Sequence, residues 1–112
     1  MKKVEAIIRP ERLDLVIEKL GRLNYPGVTI TEVRGHGKQM GVTHMWRGAE
    51  YKVKYLPKIK LEVVVLDEDL SKVVGAVVSA ARTGSIGDGK VFIHQVEDAV
   101  RVRTGESGIH AI

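Results

Sequence analysis

Residues 3–9, KVEAIIR, and residues 58–66, KIKLEVVVL, open two stretches that repeat one another, and this repeat limits the fold more than any other feature of the chain. A shift of 57 residues carries Glu5 onto Glu62 and Leu13, Val16, Ile17 and Leu20 onto Leu70, Val73, Val74 and Val77. Each set of four falls at i, i+3, i+4, i+7, the spacing of one helical face. Pro10 and Glu11 suit the first turn of a helix, where a missing N–H costs little and an acid favours the dipole. In the second copy Asp67 is a candidate N-cap, with Glu68 and Asp69 acidifying the first turn. Asn24 to Gly27 end the first helix, and VTITEVRG (28–35) is a β-branched strand. Gly84 can take the left-handed stop after the second helix, and VFIHQV (91–96) is the last strand. Two βαβ-type halves in one domain, 1–112, predict an α+β chain of ferredoxin-like βαββαβ order: a four-stranded antiparallel sheet with two helices on one face. A chain this long buries about 65% of its unfolded surface, enough for a core of its own.

Two pieces stand outside the repeat. Residues 36–55, HGKQMGVTHMWRGAEYKVKY, join the halves through about 20 residues, a length usual for functional or disordered loops. Gly37, Gly41 and Gly48 punctuate it and its apolar residues keep no period, so a mobile loop is expected. The other piece is the tail, VEDAVRVRTGESGIHAI (96–112). There Val100 and Val102 alternate with Arg101 and Arg103, which puts both guanidinium groups on one side of an extended segment.

Between the second helix and the last strand lies GSIGDGK, which fits G-x-x-x-x-G-K. In a P-loop these glycines follow a strand and open a helix, and Ser or Thr follows the lysine. Here they close a helix and open a strand, and Val91 follows Lys90, so the stretch is not a P-loop. Anion chemistry survives the loss. Gly87 and Gly89 leave the backbone bare enough for a nest of N–H groups, Lys90 adds a point charge, and Arg101 and Arg103 offer forks suited to phosphate. The same residues also describe a Gly-rich turn beside two surface arginines, and spacing does not choose between the two.

Composition removes several classes. With no cysteine the chain has no disulfide and no thiolate ligand or nucleophile. His36, His44, His94 and His110 are scattered without ligand spacing. An RNA-recognition module shares the fold order but stacks bases on aromatics of its central strands, and VEAIIR and KIKLEVVVL contain none. A net charge of +4 suits phosphate ligands or an acidic partner and equally a lysine-rich solvated surface. The opening MKKVEAIIRPE fits neither a signal peptide nor a membrane span, so a cytoplasmic protein is expected.

Taken together, KKVEAIIRP, TEVRGHGKQ, RGAEY, TGSIGDGKVFIHQV and FIHQVEDAVRVRTGE agree in order and spacing across the whole chain, which resembles the PII signal-transduction proteins. The resemblance implies a homotrimeric, non-enzymatic regulator of nitrogen assimilation, with ATP or ADP in the clefts between subunits and 2-oxoglutarate beside Mg-ATP. It implies nucleotide contacts at Thr29, Gly35, Lys38, Gln39, Glu62, Val64, Gly87, Asp88, Gly89 and Lys90, with Arg101 and Arg103 approaching from the neighbouring subunit. The 2-oxoglutarate site it implies is Gln39, Gly41, Lys58 and Gly87, and Gln39 is the Mg2+ ligand. The long loop corresponds to the family's T-loop, which docks into targets such as ammonium transporters, glutamine-synthetase-modifying enzymes and histidine kinases. Nucleic acid is not an implied partner, and a membrane is reached only through a transporter.

The chain departs from the family inside that loop. Trp46 stands where the uridylylation signature begins with a tyrosine, Tyr51 is kept as a possible modification site, and Ala49 replaces the serine phosphorylated in some members. Met45, Trp46 and Arg47 are the expected partner contacts, since Trp and Arg are enriched among binding hot spots. The alternative reading is a ferredoxin-like metabolite regulator or weak ATPase outside nitrogen signalling. The trimer has a separate expectation attached: VEAII, VTITEV and LEVVV are rich in Val and Ile, so the sheet face bare of helices should be an apolar patch that a neighbour covers. Strand edges such as VFIHQV also need cover.

Overall fold

The structure, a computed structural model, describes residues 1–36, 42–46, 49–53 and 55–112, the two middle stretches as backbone only. Strand β1 (Lys2–Ile8) leads through a 3-10 turn, Pro10–Arg12, into helix α1 (Leu13–Arg22) and strand β2 (Thr29–Gly35). Strands β3 (Val42–Trp46) and β4 (Ala49–Val53) follow, then β5 (Leu56–Val65), a 3-10 turn at Asp67–Asp69, helix α2 (Leu70–Ala81) and strand β6 (Gly89–Gln95). The main sheet runs β2-β5-β1-β6, antiparallel throughout. This is the expected ferredoxin-like βαββαβ sheet.

The internal repeat is a real pseudo-twofold. Glu5 lies directly opposite Glu62 in the β1–β5 ladder, and Ile8 opposite Ile59 mirrors Lys2 opposite Val65, so exchanging the halves returns the same register. The symmetry breaks in the last strand. Thr29 pairs with Glu62 in the first half, whereas Phe92 pairs with Glu5 in the second, so the offset of 57 has grown to 63 by β6. The difference is spread over a longer α2, a longer connection and an earlier start of β6, in and around the stretch that carries GSIGDGK.

Apolar periodicity explains the core. Val16 and Leu20 of α1, Val73 and Val77 of α2, and Val4, Ala6, Ile8, Leu61, Val63 and Val65 of the central strands are buried together. Leu13, Ile17, Leu70 and Val74 complete the two helical stripes at its margin. Because strand side chains alternate, all of these strand residues point to the helix side of the sheet. The expected apolar patch on the other face is broken up by charge. That face carries Lys3, Glu5, Ile7, Thr29, Val33, Lys58, Lys60, Glu62, Val64, Lys90, Phe92 and His94, so charged side chains separate its four large apolar ones. The period-2 pleat sends six of the nine Val and Ile residues in VEAII, VTITEV and LEVVV to the helix side and leaves Ile7, Val33 and Val64 on this face. The exposed large apolar residues of the sheet sit on its edge strands, Ile30 on β2 and Phe92 and Ile93 on β6, and of these Phe92, opposite Glu5, is on the helix-free face.

Two other expectations are corrected, at Asp67 and in the tail. Asp67 caps no helix, because Leu66 holds the capping position of the 3-10 turn and α2 begins three residues later. The Asp67 carboxylate instead pairs with the N-terminal ammonium at 3.0 Å. In the connection between the halves, β3 and β4 pair antiparallel with Trp46 opposite Ala49. Their alternation, Val42, His44, Trp46 against Ala49, Tyr51, Val53, is too short to stand out in sequence. The tail, finally, is not extended at its arginines: residues 102–104 form a turn, and Gly105 has φ of 75°.

Two polar ties close the halves on one another. The Tyr25 hydroxyl donates to Asp69 at 2.6 Å and accepts the Leu66 N–H at 3.1 Å. Arg12 donates to the carbonyls of Ala80 and Arg82 at 3.0 and 3.1 Å, putting a cation on the C-terminal end of α2, where the helix dipole is negative.

Candidate functional site

The helix-free face gathers residues that are far apart in sequence. The register sets Thr29 beside Glu62, and Lys58 and Val64 lie on the same side of β5 as Glu62. Gly35 ends β2 on this face, where a Cβ would lie 3.2 Å from Lys58 Cγ, and Lys90 joins from β6 opposite Ile7. Glu62 is held by Lys3 at 3.2 Å and Lys60 at 4.0 Å, and His94 lies 4.0 Å from Glu5. Lys3 and Lys60 offset the repulsion of two glutamates directly opposite each other in a ladder. Thr29, Glu62 and Val64 also line an open cleft of about 940 Å3 that extends toward Asn24, Lys72 and the C-terminal Ile112. From Glu62 to Lys58 is four residues of β5, about 13 Å at the usual strand rise.

At the Lys58 end the face meets the Gly-rich turn. Gly84, Gly87 and Gly89 all have positive φ, at 91°, 101° and 103°. Gly89 has a second reason to be glycine: a Cβ there would sit 1.7 Å from the Ile7 carbonyl oxygen. The Asp88 carboxylate accepts from the backbone N–H of Thr83 and of Gly84, each at 2.8 Å, from the Thr83 hydroxyl, and from Arg9 Nε at 3.0 Å. The Thr83 hydroxyl, followed by the two amides and Arg9, holds Asp88 far below the usual carboxylate range against the opposing effect of desolvation. Arg9 donates also to the Ile86 carbonyl at 2.8 Å, and Lys58 Nζ to the Gly87 carbonyl at 2.7 Å. Burial, then the charge of Arg9, lowers the Lys58 pKa, with Glu11 and Asp88 acting the other way.

The tail does not bring its arginines into this face within the chain. Arg101 donates to Glu106 at 3.0 Å and to the His110 carbonyl at 2.9 Å, inside a turn closed by its own N–H to the Glu106 carbonyl at 2.8 Å. Arg103 and Val102 project from that turn into solvent. The two guanidinium groups therefore do not leave one side of an extended segment as their alternation suggested.

Of the residues named from the sequence, Thr29, Gly35, Lys58, Glu62, Val64 and Lys90 share the helix-free face, with Gly87, Asp88 and Gly89 at its end. Lys38, Gln39, Gly41 and Arg47 lie outside the described residues, as does the mobility expected of the loop. Met45 and Trp46 fall on β3 and Tyr51 on β4, opposite His44. Among the described residues no cluster of three or more His, Cys, Asp or Glu is placed to hold a metal ion. Sequence reasoning missed Arg9 and Thr83. The one available signal was Thr83 and Asp88 flanking glycines, the composition of a side-chain-closed turn. Arg9, distant in sequence, gave none.

Comparison with known proteins gives a consistent result. The family described as nitrogen regulatory protein P-II matches residues 1–106. The chain is 54% identical to the nitrogen regulatory protein P-II of Haemophilus influenzae and 53% to that of Rhizobium meliloti, each over 112 residues and the full length of both chains. It is 52% identical to nitrogen regulatory protein P-II 2 of Methanothermobacter thermautotrophicus, over all of this chain and 97% of that one. Among the described residues no helix is long and apolar enough to cross a membrane.

Proposed function

The chain belongs to the nitrogen regulatory protein P-II family, signalling regulators rather than enzymes, and on that premise we propose that it reports adenine nucleotide and 2-oxoglutarate levels to nitrogen-assimilation targets. One observation carries this reading: a single sheet face runs from Thr29, Glu62 and Val64 to a glycine turn flanked by Lys58 and Lys90. Its length of about 13 Å suits an adenosine at one end and phosphates at the other. Glu62 would accept from the nucleoside, and the Gly87–Lys90 backbone with Lys90 would receive phosphate oxygens. Lys58 would hold a carboxylate of 2-oxoglutarate beside Gly87. Bound Mg2+ would supply positive charge between phosphates and dicarboxylate. With no acidic cluster among the described residues, its proposed holders are the phosphates and Gln39.

The assembly proposed is a homotrimer, in which Arg101 and Arg103 serve a neighbour's nucleotide. The reading is supported by Arg103 projecting from a tail turn, and by the edges of β2 and β6, unpaired among the described residues, with exposed Ile30, Phe92 and Ile93. The 36–55 segment, with Met45, Trp46 and Arg47 as anchors, is the proposed output to an ammonium transporter or to nitrogen-metabolism enzymes and kinases. Tyr51 is its proposed modification site, and the cytoplasm its proposed location. Calorimetry with ATP, ADP, 2-oxoglutarate and a single-stranded oligonucleotide tests the set. Nucleotide binding, with 2-oxoglutarate binding only in the presence of Mg-ATP, is expected. By linkage each ligand must then raise the other's affinity by the same factor. Equal 2-oxoglutarate affinity with and without Mg-ATP would refute the arrangement, and light scattering from a stable monomer would refute the shared site.

A further inference from the structure

A carboxylate inside a phosphate loop is a contradiction unless its charge is used elsewhere, because it would repel the ligand. Asp88 resolves the contradiction by turning inward. It gathers the Thr83 and Gly84 amides, the Thr83 hydroxyl and Arg9 Nε, and so closes the turn between α2 and β6 on itself. We propose that Arg9 and Thr83, acting through the Asp88 carboxylate, are positioning residues that set the phosphate-accepting shape of this turn, and that this carboxylate is not itself a ligand. The inference rests on the nucleotide reading of the site and deepens it.

The geometry gives each partner a task. Residues with positive φ at Gly84 and Gly87 make the turn entropically expensive to order, so an anion nest built from it must be fixed before the ligand arrives to bind tightly. In a trans peptide the C=O and the following N–H point in opposite directions. Arg9 draws the Ile86 carbonyl toward β1, and Lys58 draws the Gly87 carbonyl toward β5. The N–H groups of Gly87 and Asp88 are thereby aimed away from those two cations, outward from the turn. One arginine thus fixes both the closing carboxylate and the orientation of the central peptide. Arg9 comes from the first half of the repeat and Asp88 from the stretch of the second where the offset between the halves changes, so the contact sits where the pseudo-twofold is broken.

Nucleotide affinity of the full chain, measured by calorimetry with ADP without magnesium and with Mg-ATP, tests the proposal. Thr83→Val should weaken both ligands about tenfold or more, and Thr83→Ser, which keeps the hydroxyl, should recover most of the loss. Arg9→Gln and Asp88→Asn should each weaken binding, and the double variant should lose little more than the worse single one, because the pair acts as a unit. Hydrogen exchange of the Thr83 and Gly84 amides in ligand-free protein should speed up in Asp88→Ala. Wild-type affinity in Thr83→Val, or strictly additive losses for Arg9 and Asp88, would overturn the positioning role while leaving the nucleotide site intact. A loss confined to Mg-ATP would overturn it by making Asp88 a metal ligand. A wild-type chain that bound no nucleotide would overturn the site reading itself.

Discussion

Replacing Gly89 by alanine puts the strand geometry at the end of the site to a quantitative test. Gly89 starts β6 opposite Ile8, with φ of 103°. An alanine held at such a φ costs about 1–3 kcal/mol in backbone strain. Its Cβ would also lie 1.7 Å from the oxygen and 2.8 Å from the carbon of the Ile7 carbonyl. Both are backbone atoms of a central strand whose neighbours are the buried Ala6 and Ile8, so β1 has little room to yield. The start of β6 must therefore peel away, and each ladder hydrogen bond lost costs about 0.5–1.5 kcal/mol. Two such bonds and the strain together make about 2–6 kcal/mol. At roughly 4 °C per kcal/mol for a domain near this size, the melting midpoint should fall by about 8–24 °C. Two glycines calibrate the assay. Gly84 has φ of 91° but nothing within 4 Å of a Cβ, so Gly84→Ala should show only the strain, about 1–3 kcal/mol. Gly75, inside α2 with open space around it, should gain about 1 kcal/mol as alanine. Thermal melts at one fixed protein concentration, which removes any assembly contribution, should rank Gly75→Ala above wild type, then Gly84→Ala, then Gly89→Ala. Equal midpoints for the last two would show that β6 does not approach Ile7 as described.

Arg103→Ala should weaken ATP about ten- to a hundredfold in calorimetry, the worth of one charge-assisted hydrogen bond of about 1.5–3 kcal/mol, with an unchanged melt because Arg103 is exposed. Tyr25→Phe should cost about 1–3 kcal/mol in denaturant titration, since it strands the Leu66 N–H and removes the donor to Asp69. Burial, with help from Asp69, raises the Tyr25 pKa above 10.0, so the stability it contributes is complete below that pH and fades as pH rises through the folded value; Tyr25→Phe should lack this alkaline limb. Asp88 has the opposite sign. Its contribution is complete above the ordinary aspartate value of about 4 and is lost as pH falls toward its depressed folded value, so Asp88→Asn should flatten the acid limb of a pH-stability curve.

The sequence alone determined the elements and their repeat. Leu13, Val16, Ile17, Leu20 and their counterparts at Leu70, Val73, Val74 and Val77 announced two helices, because the 3.6-residue period is a local property. The matching of Glu5 with Glu62 even placed the symmetry axis, which the β1–β5 register passes through. The glycine turn was recognisable as a place of bare backbone, and the resemblance of several ordered motifs to one family was carried by the whole chain.

Only the tertiary structure decided what each polar group faces. Counting Val and Ile in VEAII and LEVVV suggested an apolar open face, whereas the pleat sends alternate residues to opposite sides and leaves Lys3, Glu5, Lys58, Lys60 and Glu62 there. Asp88 looked like one more loop residue, and it became the closure of the turn because Arg9, 79 residues away in sequence, reaches it. Arg101 and Arg103 looked equivalent until a turn tied the first to Glu106 and left the second in solvent. Hydrophobic burial is non-directional and repeats with the local period, so a single strand or helix reveals it. Hydrogen bonds and ion pairs need a specific partner at a specific distance, and chain reversal, not sequence neighbourhood, supplies that partner.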